Sequence, residues 1–199
     1  MPILACVLRA ASALSFNAQR WWAERIFEPM WPATLEGVTD EAIPHAAVAL
    51  AVARTCGMHG VQKRASYELL RMPALMQSIA GADADLGTIP HADLLRLLRA
   101  REFLGHFWAK VAGQAPIGFP CVPVCEDRTH ARWAELVHAS GIFVKRLIDP
   151  LMGLQDLVEI PWGGEGYCKK CVRMKVNEWA ELRRELWDYL DVLLELTTE

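Results

Sequence analysis

The sequence lacks several features by which common classes of protein are recognised. It has no uninterrupted apolar run of the roughly 20 residues that a membrane-spanning helix needs. Its longest uncharged loop-like stretch, residues 111–125, is broken by five Gly and Pro residues. An excess of basic charge is also missing, since 21 Lys and Arg face 24 Asp and Glu, whereas nucleic-acid-binding domains are usually strongly basic. The sequence therefore predicts neither a membrane partner nor a nucleic-acid partner.

Familiar catalytic motifs are missing too. No His-x-Glu or His-Glu-x-x-His occurs, so the signatures of zinc deaminases and zinc peptidases are absent. There is no G-x-S-x-G, P-loop or G-x-G-x-x-G, and none of the six histidines stands in a recognisable catalytic spacing with a carboxylate. We expect a protein that is not an enzyme; a zinc- or thiol-dependent enzyme is the alternative, and a transcription-linked nucleic-acid binder is a further one.

What is present is a hydrophobic chain with helical periodicity. Hydrophobic residues make up 53% of its 199 residues and eight are Trp, which argues against disorder. Apolar residues recur at helical spacing and no segment predicts a strand. We predict an all-α fold, an irregular bundle of about eight or nine helices. It divides into residues 1–80 and 88–199, joined by the loop 81–88, or forms one continuous domain.

Proline, glycine and capping residues set the predicted helix boundaries. Asn17 is the predicted N-cap of the second helix, in which Trp21, Trp22, Ile26 and Phe27 are expected to form one buried face. The predicted helices are 3–15, 18–30, 41–56, 60–71, one from Thr88 or Pro90 to about 112, 128–139, 142–148 and 169–196. Shorter helical segments are predicted at 74–80 and 151–159.

Four cysteines form two short clips, Cys121-x3-Cys125 and Cys168-x2-Cys171. A gap of two or three residues lets two thiolates reach one ion, and two clips supply the four-sulfur shell that structural zinc prefers. The pattern predicts a structural zinc site that ties the loop 113–126 to the start of the last helix. Free thiols and disulfide or redox use are the alternatives, and His130 could replace one cysteine as a ligand.

The charges around the second clip favour metal. Lys169, Lys170, Arg173 and Lys175 crowd the first turns of the last helix, where the helix dipole disfavours cations. A zinc ion bound by four thiolates carries a formal charge of −2 and would reverse that preference. Cys6 and Cys56 lie in apolar helices and are expected to be small core residues.

The last helix has an apolar stripe, from Val172 to Leu193, that indicates core packing. Trp187 and Tyr189 flank the stripe and are candidate anchors for a protein partner. Together with the absence of catalytic motifs, this favours a protein-interaction or scaffold module.

The N-terminal composition bears on the compartment. Residues 1–23 contain Arg9 and Arg20, two serines and no acid, a composition resembling a mitochondrial transit peptide. We favour an apolar helix that begins a domain. The expected compartment is the cytoplasm or nucleus, where cysteines stay reduced, with the mitochondrion as the alternative.

Several segments resemble one protein family. The segment AVARTCGMHGVQKRASYELLR (residues 51–71) is similar to the helical region that follows the BTB/POZ domain in proteins of mushroom-type fungi. GYCKKC, EWAELRRELWDYL and LIDPLMGLQDL are similar to the C-terminal parts of such proteins. The resemblance spans about residues 10–196 and implies a helical scaffold or recognition module with a cysteine-bound metal. The β-rich BTB domain has no counterpart here, so a fragment or shortened relative is implied, without ligase-adaptor activity.

Overall fold

The computed structural model describes residues 2–73, 75, 89–119, 121 and 124–196. Within these residues the chain is all-α, with nine α-helices and no strand, as the periodicity predicts. The helices are α1 (Pro2–Ala13), α2 (Asn17–Phe27), α3 (Ala46–Cys56), α4 (His59–Leu70), α5 (His91–Ala112), α6 (Val124–Trp133), α7 (Ile142–Lys145), α8 (Pro150–Glu159) and α9 (Lys169–Leu193).

Some helix ends differ from the prediction. Asn17 is the first residue of α2, and Phe16 takes the N-cap position without a side-chain hydrogen bond. Helix α3 begins only at Ala46, because His45 adopts a left-handed conformation with φ 66°. Helix α6 begins at Val124, four residues earlier than predicted, and continues as a π-helical turn over Ala134–Ala139. The predicted helix 74–80 lies outside the described residues except for the single position 75.

The chain forms two compact units, Met1–Arg101 with Leu190–Glu199, and Glu102–Tyr189. Helices α5 and α9 each contribute residues to both units. The predicted joint at 81–88 lies outside the described residues, so a division at that point stays a prediction.

In the first unit, α1 packs on α2 and α3, and α3 packs on α4. Its apolar core includes Leu8, Phe27 and Tyr67, all completely buried. The core also holds a charged network, in which the Glu68 carboxylate accepts hydrogen bonds from the guanidinium groups of Arg64 and Arg71. All three side chains are almost fully buried, so each charge depends on its partners for stabilisation.

In the second unit the core is rich in tryptophan. Trp133, Trp162 and Trp179 contact one another with ring centroids 5.4 to 6.1 Å apart. The indole N–H of Trp133 donates to the Ala112 carbonyl at 2.9 Å, and that of Trp162 donates to the Leu157 carbonyl at 2.8 Å. These bonds satisfy polar groups that burial would otherwise penalise.

The predicted buried face of α2 is wrong. Phe27 is buried, but Trp21, Trp22 and Ile26 are exposed. Helix α2 turns its other side inward, where Ala23 lies completely buried, since the small side chain allows close approach of the packed helices.

Among the described residues, no helix combines the length and the apolar character that crossing a bilayer requires.

Candidate metal centre

Each cysteine clip lies at the N-terminus of a helix in the second unit. Cys121 precedes α6, and Cys125 lies in its first turn; Cys168 directly precedes α9, and Cys171 lies in its first turn. The Cys125 N–H donates to the Cys121 carbonyl at 3.0 Å, and the Cys171 N–H donates to the Cys168 sulfur at 3.5 Å. The helix dipole favours negative charge at a helix N-terminus, so both clips suit thiolates.

The structure brings the four predicted cysteines together. Their sulfur atoms all lie within 4.8 Å of one another and could hold a metal ion. The Sγ atoms of Cys121 and Cys168 are 3.4 Å apart. A tetrahedral ion with metal–sulfur bonds of about 2.3 Å would place its sulfurs about 3.8 Å apart. All four cysteines are free thiols, so the sulfurs converge as one group instead of as two disulfide pairs.

The four cysteines differ in their burial. Cys125 and Cys171 are buried, whereas Cys121 and Cys168 are half-buried. Each clip supplies one cysteine of each kind.

The thiols hold their protons unequally. The Cys171 backbone N–H, followed by the neighbouring thiols, lowers the pKa of Cys168 to about 6. Burial raises the pKa of Cys171 to about 12, and the hydrogen bond with Cys168 raises the pKa of Cys121. One thiolate forms readily, but several adjacent thiolates need a cation between them because like charges repel.

A side-chain hydrogen bond joins the two clip segments. The Arg128 guanidinium, on α6, donates to the Gly166 carbonyl at 2.8 Å, two residues before Cys168. Gly166 has φ +86°, a conformation that glycine adopts without strain. The loop that carries the second clip is thus fixed to the helix that carries part of the first.

The basic residues in the first turns of α9 differ in burial. Lys169, Lys170 and Arg173 are exposed, whereas Lys175 is buried. Its ammonium pairs with the Glu178 carboxylate at 2.8 Å and lies 5.4 Å from the centroid of the Phe119 ring. Lys175 is thus a buried cation one helical turn beyond Cys171, and the Glu178 carboxylate compensates its charge.

The other candidate ligands lie elsewhere. His130 is exposed on α6, and the group that could hold a metal consists of the four cysteines alone among the described residues. Cys56 is buried, as expected, but Cys6 is exposed. The expectation for Cys6 is wrong because α1 buries the opposite side, which carries Ala5 and Leu8.

Sequence reasoning missed two residues beside the cysteines. Thr129 is buried, and its hydroxyl donates to the Cys125 carbonyl at 2.6 Å. Tyr167 is buried beside Trp162, edge to face, with ring centroids 5.5 Å apart. The sequence could have indicated Thr129, because a threonine in a helix can donate to the carbonyl of the residue four positions earlier. Nothing in the sequence indicated Tyr167.

No protein-family model, curated protein or solved structure matches this chain. The resemblance to the C-terminal region of fungal BTB/POZ proteins therefore stays a prediction.

Proposed function

We propose that the four cysteines bind one structural zinc ion and that the protein is a non-enzymatic helical module that recognises a protein partner. The observation that carries the proposal is the convergence of Cys121, Cys125, Cys168 and Cys171 within 4.8 Å. Four thiolate ligands in a compact group suit zinc, which favours sulfur ligands and tetrahedral geometry.

Four cysteine ligands leave no coordination position for substrate. Catalytic zinc usually has three protein ligands and an open position that holds water or substrate. A closed shell instead supports a structural role, in which zinc holds the N-termini of α6 and α9 together. A site of four reduced cysteines suits the cytoplasm or nucleus, where thiols stay reduced. The proposal also includes a relationship to the helical region of BTB/POZ proteins.

An exposed aromatic pair supports the interaction role. Tyr189 is exposed and its ring lies 5.4 Å from that of Phe103, which is also exposed. Trp187, the other predicted anchor, is buried and belongs to the core. Aromatic side chains on an accessible helix surface are frequent anchors in protein interfaces, so Phe103 and Tyr189 are the residues that we expect a partner to contact.

Metal analysis tests the zinc proposal. The protein purified under reducing conditions should contain about one zinc ion per chain, and Cys168→Ser should lose it with a fall in stability. Cys6→Ser is the matched control, because Cys6 is an exposed cysteine outside the group. Metal-free wild-type protein that fails to take up zinc at equimolar concentration would refute the proposal.

Affinity capture from cells, followed by binding of the purified partner, tests the interaction role. The double variant Phe103→Ser, Tyr189→Ser should weaken binding of the partner at least about tenfold. The reason is that the loss of an interface anchor costs about 2 kcal/mol or more of binding free energy. Val144→Ser, an exposed apolar residue elsewhere in the same unit, should leave binding unchanged. A partner that binds both variants equally would show that this pair is not the interface.

A thiol-dependent enzyme is the alternative that one observation favours. Cys168 is half-buried and its pKa is lowered to about 6, so it would be ionised at neutral pH. Alkylation by iodoacetamide separates the two functions, because a thiolate bound to zinc reacts slowly. Rapid labelling of Cys168 in zinc-loaded protein, without loss of zinc, would support the enzyme instead.

A further inference from the structure

The first two helices form a hairpin with a fixed turn. Helix α1 ends in a hydrogen-bonded cap, in which the Phe16 N–H donates to the Ala11 carbonyl at 2.8 Å and the Ser15 N–H donates to the Ser12 carbonyl at 3.4 Å. Ser15 adopts a left-handed conformation with φ 57°. This combination is the Schellman motif, which ends a helix and reverses the chain. The tip of the hairpin is therefore a defined structure.

The tip carries apolar side chains directed to solvent. Leu14 is 61% exposed and Phe16 is 53% exposed, although both are large apolar residues. No charged residue occurs between positions 10 and 19. Just beyond the tip, Trp21 and Trp22 are 59% and 54% exposed.

Positive charge follows at a defined distance from the tip. Arg9 lies five residues before Leu14, and Arg20 lies four residues after Phe16. At the helical rise of 1.5 Å per residue, both lie about 6–8 Å from the tip. Trp22 lies at about 9 Å, also within two turns. The hairpin thus presents an uncharged apolar end, followed by arginine and tryptophan.

The acidic residues of α2 are compensated or distant. The Glu24 carboxylate pairs with the Arg20 guanidinium at 2.7 Å. Arg25 adds another cation, with its guanidinium 4.8 Å from the centroid of the Trp21 ring. Glu28 lies about 18 Å from Phe16 along the helix. The Arg20–Glu24 pair is therefore neutral, and Arg20 also donates to the Cys56 carbonyl at 2.7 Å. The positive charge of the hairpin rests on Arg9 near the tip and on Arg25 about 14 Å from Phe16.

We propose that the α1–α2 tip, centred on Leu14 and Phe16, docks on a membrane surface that contains anionic lipid. Interfacial segments bury apolar side chains roughly 5–10 Å into the headgroup boundary, the depth at which Arg9 and Trp22 follow the tip, and Arg25 follows further out. Tryptophan favours the headgroup level and arginine favours anionic headgroups. Docking needs no spanning helix, so the absence of an apolar run in the sequence does not oppose it.

A lipid surface fits this order of residues better than a protein groove. A protein groove would require apolar contacts along one helix face, with positions three and four apart. Trp22 and Ile26 of α2 are exposed at that spacing, but the exposed apolar side chains continue onto the turn itself, at Leu14 and Phe16. The charge nearest to the turn without a carboxylate beside it is positive, at Arg9. The proposal goes beyond the protein-interaction role and rests on a different part of the chain.

Vesicle co-sedimentation tests the proposal with the full chain. The wild type should bind vesicles of phosphatidylcholine mixed with phosphatidylserine, and binding should weaken with added salt or without phosphatidylserine. Phe16→Ser with Trp22→Ser should lower the partition coefficient about tenfold to hundredfold, because each side chain loses apolar burial. Val144→Ser, 72% exposed in the other unit, should bind as the wild type does.

Two further measurements keep the outcome clear. Circular dichroism checks that the double variant folds, and Leu14→Ser alone replaces it if it does not. Wild-type protein that does not bind the anionic vesicles would overturn the proposal. It would also be overturned if light scattering shows a dimer that the tip variants convert to a monomer, because a second copy would then cover the tip.

Discussion

Trp133 and Trp179 lie against each other with ring centroids 6.1 Å apart, and each follows the buried cysteine of its own clip by eight residues. Cys125 and Trp133 belong to α6, and Cys171 and Trp179 belong to α9. The same two helices therefore meet twice, first at the sulfur group and again about two turns later. The aromatic contact and the metal centre should support each other, since each fixes the spacing of the same helices.

Trp179→Ala tests this second contact. The indole is buried against Trp133 and Trp162, so its removal should lower the free energy of unfolding by about 3–5 kcal/mol. Zinc affinity should fall as well, because the helix that carries the second clip loses its support. Urea denaturation and competition with a chelator measure the two effects. Trp22→Ala, at an exposed position, should change stability by no more than about 0.5 kcal/mol.

Lys175→Met tests the electrostatic support of the metal. Lys175 is buried four residues after Cys171, and a tetrathiolate zinc centre is negatively charged. Loss of this cation should weaken zinc binding about tenfold or more, as changes beside metal ligands often do. Lys170→Met removes an exposed cation of the same helix and should have a much smaller effect. Equal zinc affinities in the two variants would show that Lys175 does not stabilise the metal.

The metal-free protein should show a stability that depends on pH through Cys168. Its pKa in the folded protein is lowered from 9.0 to about 6, so folding favours the thiolate. The stabilisation is complete above pH 9, decreases as pH falls towards 6 and is absent below it. The difference in unfolding free energy between metal-free wild type and Cys168→Ser should therefore grow from pH 6 to pH 9. A difference that stays constant over this range would mean that the thiolate is not stabilised.

The sequence predicted the sulfur group but not its surroundings. Clip spacing is a local property, so Cys168 and Cys171 could be paired from sequence alone. The aromatic contacts could not be, because Trp133, Trp162 and Trp179 come from three separate segments that only the fold brings together. Their positions depend on how the helices cross, which periodicity does not specify.

The error on α2 has a different physical origin. Helical periodicity identifies residues that share a face, but not which face turns inward when both are apolar. Trp21 and Trp22 are larger than Ala23, and a rule based on hydrophobic area favours burying them. Close packing of α1 on α2 instead selects the side with Ala23 and Phe27, both completely buried.

Glu68→Gln tests the buried charged network of the first unit. The Glu68 carboxylate accepts hydrogen bonds from Arg64 at 3.0 Å, from Arg71 at 2.8 Å and from the Ile43 backbone N–H at 3.2 Å. The neutral amide removes the carboxylate charge that both buried guanidinium groups contact, so the unfolding free energy should fall by about 3–5 kcal/mol. Glu24→Gln, at a partly exposed ion pair, should cost no more than about 1 kcal/mol.

Zinc content should be unchanged in both variants, because the four cysteines belong to the other unit. A Glu68→Gln protein that keeps wild-type stability would mean that the arginines find other partners, whereas loss of zinc together with stability would mean that the metal centre depends on the first unit.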